Sequence, residues 1–440
     1  MRIEKKSLLQ LFVPIYIETL FYMLAGMVDT LMLSTINDKA VGAVGTSNTY
    51  ISMFIFMFSI VSTGMMAVMT QNIGAKRPGV AYQAKTVGLV FNLILGAVLS
   101  IFLLLCSRQM LQVIGIAPGL KEYASTYIRI VGGTCFLNAL IPIFAGYLRA
   151  FGYTKYPLVA TVVGNIVNLV LNSIFLFIFH FGVTGVAFAT VTSKVVNLCI
   201  VIILSIKFIK AKESPERIET RTVFRQIILI GLPAAFESFL YNVAMTLAIR
   251  FLNQMDKDGF NVSARAYTAQ IANFSFSAGA ALAQANAIMT GWRLGSKEYE
   301  ACKKGTRKAW FVGVGISVLM SIVIACLSPF IIPIFTDDAA MIKIVTKLLW
   351  IDVALELGRV TNLVYGQALK TAGDAICPVV LAIVFMFLCA VCGTYFFGIH
   401  LGLLAVGCYI ALALDELCRG VGMILRWKSG KWMEKGLISS

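Results

Sequence analysis

The chain has 440 residues, of which 59% are hydrophobic and 13% charged, and its mean hydropathy is +0.86. Soluble domains run about 45–50% apolar and about 25% charged, so composition excludes both a water-soluble globular enzyme and a disordered chain. The basic excess, 37 Lys and Arg against 21 Asp and Glu for a net charge of +16, points to nucleic acid in a soluble protein; in a membrane protein it points to cytoplasmic loops.

A membrane-crossing helix needs about 20 mostly apolar residues. Residues 40–75, 86–107, 156–193, 309–336 and 375–414 contain no Asp, Glu, Lys or Arg, and the two longest stretches divide near His180-Phe181-Gly182 and His400-Leu401-Gly402. The pattern predicts twelve spans, at 8–36, 46–72, 84–106, 121–147, 157–179, 183–207, 226–251, 262–291, 307–329, 340–368, 377–398 and 402–425. The expected fold class is therefore all-α, a membrane protein of 12 transmembrane helices. No short signal peptide is expected, because apolar segments recur along the whole chain.

With the N-terminus inside, the inner loops and their edges collect 25 of the 37 basic residues, from Arg2, Lys5 and Lys6 through Lys212 to Lys435; the outer ones hold Lys39, Arg108, Lys121, Lys257 and Lys343. This asymmetry places both termini in the cytoplasm and accounts for the charge without nucleic acid.

The two halves repeat each other. Pro14-x-x-x-Glu18 recurs as Pro233-x-x-x-Glu237, 219 residues later. Gly74-Ala75-Lys76 recurs as Gly295-Ser296-Lys297, and Leu148-Arg149-x-x-Gly152 with Pro157 recurs as Leu369-Lys370-x-x-Gly373 with Pro378, each 221 residues later. Gly185 and Gly407 begin matching helices, and His180 and His400 lie at matching turns. Six spans per repeat is an even number, so the halves are parallel and pseudo-symmetric, as in duplicated secondary transporters. The expected organisation is an N-terminal six-helix lobe at 1–207, a cytoplasmic linker at 208–225, a C-terminal six-helix lobe at 226–432 and a cytoplasmic tail at 433–440.

Ten Cys are scattered, mostly in apolar runs, and only two His are present. Neither pattern suits a zinc site or a disulfide framework, and nothing resembles a catalytic constellation. The chain reads as a non-enzyme, with no cofactor and no metal beyond a possible Na⁺.

The repeated Leu148-Arg149-Ala150-x-Gly152-x-Thr154-Lys155-x-Pro157, together with Val28-Asp29-Thr30, Gly182-Val183-x-Gly185-Val186-Ala187 and the run Leu369 to Asp374, resembles the multidrug and toxic compound extrusion (MATE) family. The C-terminal Arg426-Trp427-Lys428-Ser429-Gly430-Lys431-Trp432 is similar to bacterial members, of the DinF-like or a related branch. The resemblance covers essentially the whole chain. It implies a V-shaped pair of lobes, cation-coupled export by alternating access, residence in a bacterial inner membrane, a monomer, and small amphipathic organic substrates.

A carboxylate inside the bilayer is expensive and therefore a functional candidate. Asp29 lies in the outer half of the first span, and Glu18 lies three turns earlier on the same side, about 16 Å away. The fifth span carries Asn165, Asn168 and Asn172 on one face; amide oxygens suit Na⁺ or a protonated Asp, while interhelical glue is the other reading. Family members pair the first-span Asp with Asn-x-x-x-Asp, but this chain has Asn168-x-x-x-Asn172, which removes a carboxylate and tilts the reading toward H⁺. Thr190 adds a hydroxyl, and Lys194 either counters Asp29 or snorkels.

In the second lobe the candidates are Glu237, Asp352 and Glu356. Asp352, Glu356 and Arg359 share a helix face, and an ion pair between Glu356 and Arg359 is the competing structural reading. Asp415, Glu416 and Arg419 read as a lobe-stabilising cluster. By resemblance the substrate cleft is lined by spans 1, 2, 7 and 8. The second span is rich in Met and Phe (Met53, Phe54, Phe56, Met57, Phe58, Met65, Met66, Met69), a soft surface; such residues also pack lobes and face lipid. Met53, Met57, Tyr241, Phe274 and Gln284 are the cleft candidates. The reading is an antiporter that exports amphipathic or cationic organic compounds in exchange for H⁺ or Na⁺. The alternative is a flippase for lipid-linked precursors from the same superfamily.

Overall fold

The structure, a computed structural model, describes residues 6–114, 116, 118–211, 214–256, 259–334 and 336–438. Of the charges tallied above, Arg2, Lys5, Lys212 and Lys257 lie outside these residues.

Among the described residues there are no strands. The chain runs through α1 (Leu8–Ser34), α2 (Asp38–Gly74), α3 (Pro78–Ile114), α4 (Lys121–Tyr127), α5 (Phe136–Ala150), α6 (Lys155–Ser173), α7 (Gly182–Phe208), α8 (Thr220–Met255), α9 (Phe260–Gly295), α10 (Tyr299–Ile331), α11 (Ala339–Thr371), α12 (Ile376–Phe385) and α13 (Leu404–Lys428). Helix starts follow local chemistry. Ser7 and Gln10 form a reciprocal capping box on α1, and the Asn37 and Asp338 side chains cap α2 and α11, each satisfying backbone donors that the first turn leaves free.

The expected spans all appear, several of them longer than predicted. The predicted span 121–147 is broken: α4 continues into a wide π turn at Ile128–Gly132, and α5 leaves at a 43° bend. Counting that pair once, nine spans are long and apolar by composition. The remaining three, α9, α11 and α13, are more polar, with buried Asp352 and Glu356 in α11 and Asp415, Glu416 and Arg419 in α13. They complete twelve membrane-crossing helices in two lobes.

The backbone carries the repeat as well. Gly152 (φ +85°) and Gly373 (φ +89°) make matching left-handed turns, as do Lys76 (φ +60°) and Lys297 (φ +59°). The predicted break after α6 falls where expected, at His180 (φ +53°) and Gly182 (φ +56°), and the break before α13 is at Gly402 (φ +67°).

The chain forms two compact units, Met1–Gly231 and Leu232–Ser440, which meet within α8. The first turns of α8 belong to the first unit: Phe224 lies 5.8 Å from Phe91 between ring centroids, and just before them Gln83 Nε2 donates to the Ile218 carbonyl at 2.7 Å. In the first unit α6 packs on both α1 and α7, and α3 packs on α2 and α5, around Phe58, Leu103, Leu111 and Ile128. In the second unit α11 is central, packed against α9, α10 and α13, around Val345, Leu348, Leu349 and Leu355. A second apolar cluster closes one end of that unit, where buried Trp432 stacks on Trp427 at 4.1 Å beside Tyr365 and Met423.

Candidate functional site

α6 presents a polar edge to α1. Thr161, Asn165, Asn168 and Asn172 recur at intervals of three or four residues and so lie along one helix face. Asn172 Nδ2 donates to Asp29 Oδ1 at 2.7 Å and to Asn168 Oδ1 at 3.1 Å. The structure thus brings together Asp29, Asn168 and Asn172, which the family resemblance had paired. Asn165 does something different: its Nδ2 donates to the Phe21 carbonyl at 2.9 Å and ties down the α1 backbone.

Asn168 is nearly buried and Asn172 fully buried, and Asn172 Oδ1 accepts no hydrogen bond. A carboxylate beside two amide oxygens, one of them unclaimed, is an oxygen-rich environment suited to a proton or a hard monovalent cation. Asp29 makes no ion pair within 4.0 Å among the described residues. Lys194 attracts it electrostatically from farther away. Thr190 is on the same side, but its hydroxyl donates to the Val186 carbonyl at 2.9 Å. Sequence reasoning missed Tyr127, which is buried near Asn48 and Thr190 and lies within electrostatic reach of Asp29. It comes from the broken span and lies nearly a hundred residues from Asp29, so no periodic signal links the two.

Glu18, on the same helix as Asp29, has a charged partner: Arg149 Nη2 lies 2.7 Å from Glu18 Oε1. Thr161 donates to the same oxygen at 3.4 Å.

The second unit treats its charges differently. Arg359 pairs with Glu356, as the helix spacing suggested, and approaches Glu416 at 3.9 Å. Arg419 contacts Asp415 at 2.7 Å and Glu416 at 2.9 Å, and Asn362 Nδ2 donates to Glu416 Oε2 at 3.0 Å. The α11 and α13 clusters are therefore a single network, in which Glu356, Asp415 and Glu416 share Arg359 and Arg419; Asp352, buried on the same face of α11, makes no ion pair within 4.0 Å among the described residues. Glu237 pairs with Lys370 at 2.8 Å.

Of the cleft candidates, Met53 and Met57 are exposed, whereas Tyr241, Phe274 and Gln284 are half-buried. Met65 and Met69, also part of the Met-rich run, are fully buried in the first unit and belong to its packing. No group of three His, Cys, Asp or Glu suited to a metal occurs among the described residues.

The chain matches the MatE family over residues 14–174 and 233–396, one stretch in each repeat. It is 32% identical over 437 residues to "Uncharacterized transporter YisQ" of Bacillus subtilis (strain 168), covering 98% of this chain and 96% of the relative. It is 22% identical to "Probable multidrug resistance protein NorM" of Thermotoga maritima, covering 99% and 94%. A solved outward-facing multidrug resistance MATE family transporter of the MOP superfamily superposes with a TM-score of 0.86 at 20% identity, covering 96% of each chain. The chain belongs to the MATE family of multidrug efflux transporters.

Proposed function

We propose that this protein is a secondary antiporter that exports amphipathic or cationic organic compounds in exchange for H⁺ or Na⁺, with Asp29 as the coupling carboxylate. The reading rests on one observation. Among the intramembrane carboxylates described, Asp29 and Asp352 make no ion pair within 4.0 Å, and of the two Asp29 is the one hydrogen-bonded to a neutral amide. A carboxylate locked to Arg or Lys keeps its charge, whereas one facing amides exchanges charge with a proton or cation at low cost. The missing fifth-span carboxylate, with Asn172 in its place, favours H⁺.

In this mechanism the cation neutralises Asp29 and changes its grip on Asn172, which alters the bend of α1 and the affinity for substrate. Linkage requires that substrate in turn alter the affinity for the cation. Alternating access then carries the substrate outward. The protein works as a monomer in a bacterial inner membrane with both termini in the cytoplasm, the orientation that its basic loops support.

The test is efflux from proteoliposomes under separate pH and Na⁺ gradients, comparing wild type with Asp29→Asn. Wild type is expected to drive efflux with at least one gradient, and Asp29→Asn with neither. Full gradient-driven efflux by Asp29→Asn would remove Asp29 from the mechanism. No gradient-driven efflux of any organic cation by wild type would favour movement of a lipid-linked precursor instead.

A further inference from the structure

The Pro-x-x-x-Glu motif and the basic residue after the fourth span each occur twice in the sequence, and coupling at Asp29 uses neither. The structure brings them together in both units. Glu18, one turn beyond Pro14 in α1, meets Arg149 at the end of α5 at 2.7 Å. Glu237, one turn beyond Pro233 in α8, meets Lys370 at the end of α11 at 2.8 Å. All four side chains are largely buried, with relative exposures of 5% and 16% in the first pair and 13% and 11% in the second. Retaining both partners of a buried ion pair in both copies of a duplication points to a task common to the two units.

The proline indicates the task. A proline inside a helix lacks the donor for the carbonyl four residues earlier and makes a point where the helix bends easily. In α1 that carbonyl belongs to Gln10, and Thr154 Oγ1 donates to it at 3.4 Å. Lys6 Nζ donates to the Gly152 carbonyl at 2.9 Å. The α5–α6 corner, residues 149–154, therefore holds α1 on both sides of its weak point: at Lys6 and Gln10 before Pro14, and at Glu18 after it. Asp29 lies three turns farther on. Its only direct polar partner among the described residues is neutral, so this end of α1 is held by a contact that a cation can alter.

We propose that Glu18–Arg149 and Glu237–Lys370 are matched positioning pairs. Each fixes the proline-containing part of its unit's first helix to the corner after the fourth span, which confines cation-driven bending of α1 to the segment beyond Glu18. The proposal rests on the coupling role given to Asp29 for its link to transport, but the pairs themselves can be tested without transport.

The experiment is hydrogen-exchange mass spectrometry on full-length reconstituted protein, comparing wild type, Glu18→Gln, Glu237→Gln and the exchanged pair Glu18→Arg/Arg149→Glu. Glu18→Gln is expected to raise exchange about tenfold in the peptide around Pro14 and to leave α8 unchanged; Glu237→Gln is expected to do the converse around Pro233. The exchanged pair is expected to restore protection around Pro14. In parallel, the affinity for rhodamine 6G is measured with and without the coupling cation. Glu18→Gln is expected to reduce the cation-induced change about tenfold while shifting the cation-free affinity less than about twofold.

Unchanged exchange around Pro14 overturns the proposal. So does a uniform rise across the unit with equal loss of affinity in both conditions, the result expected of a pair that only stabilises. If wild type shows no cation-dependent affinity, the function proposed for Asp29 falls, and the local exchange pattern still decides the role of the pairs. If Glu18→Gln does not fold, Arg149→Lys, which keeps the charge and loses the planar fork, must give a smaller rise confined to the same peptide.

Discussion

The two units descend from one repeated plan yet handle membrane-buried charge in different ways. In the first, the carboxylates stand apart: Glu18 on Arg149, and Asp29 on Asn172. In the second, Glu356, Asp415 and Glu416 share Arg359 and Arg419 across two helices. A network of that kind is costly to open, because removing one member leaves another buried charge exposed to a low dielectric. The Asp29–Asn172 contact can be altered without stranding another buried charge. The frame was conserved between the halves while the polar interior diverged, which leaves the first unit with an adjustable charge and holds Glu356, Asp415 and Glu416 of the second in a fixed network.

Four tests would break or sharpen this contrast. The largest effect is expected for Arg419→Met, which strands Asp415 and leaves Glu416 only Asn362 and the more distant Arg359: about 3–5 kcal/mol of lost stability, read as a lower thermal midpoint in detergent. A loss as small as that from an exposed salt bridge would mean that the second-unit network is not rigid. Next is Gly358→Val, where a Cβ would lie 2.6 Å from the Leu417 backbone nitrogen, at the crossing of α11 and α13. Overpacking at that crossing should cost about 1–3 kcal/mol. Gly164→Ala, where the Cβ would meet the Ser193 carbonyl at 3.3 Å between α6 and α7, should fall well below it in the same melt.

The third test separates stability from transport. Asp29→Asn should change stability by less than about 1 kcal/mol, because a neutral hydrogen bond to Asn172 can persist, yet it should abolish gradient-driven efflux. Glu356→Gln should show the reverse emphasis, with a clear fall in thermal stability that precedes any transport defect, since Arg359 loses its nearest counter-charge. Similar profiles for the two variants would erase the distinction between adjustable and fixed charge. The smallest effect is expected for Thr154→Ala, about 0.5–1.5 kcal/mol for one hydrogen bond. The equivalent position in the second unit is Ala375, which has no hydroxyl to offer the carbonyl freed by Pro233.

Much of the architecture was legible in local pattern. Apolar runs of membrane length located the helices, and constant offsets between Pro14 and Pro233, Arg149 and Lys370, and Gly152 and Gly373 revealed the duplication. The same pattern located α9, α11 and α13 as spans despite their polar content. The spacing of Asn168 and Asn172 placed both amides on one helix face, so their meeting with Asp29 was foreseeable once α1 and α6 were neighbours. The break between α4 and α5 was not foreseen, since Gly132-Gly133 is compatible with continuous or bent helix and the surrounding packing selects the bend.

The sequence by itself determined the membrane setting, the twelve helices, their twofold repetition and the few carboxylates kept inside the bilayer. These follow from hydropathy, helical periodicity and charge placement, all of which act over a few turns of chain. Only the tertiary structure decided which partner each carboxylate received: Arg149 for Glu18, Asn172 for Asp29, Lys370 for Glu237, and one shared network for α11 and α13. The first three partners lie on other helices, more than a hundred residues away. Whether a buried charge is fixed or exchangeable depends on the group within about 3 Å of it, and helix packing, rather than local pattern, sets that distance.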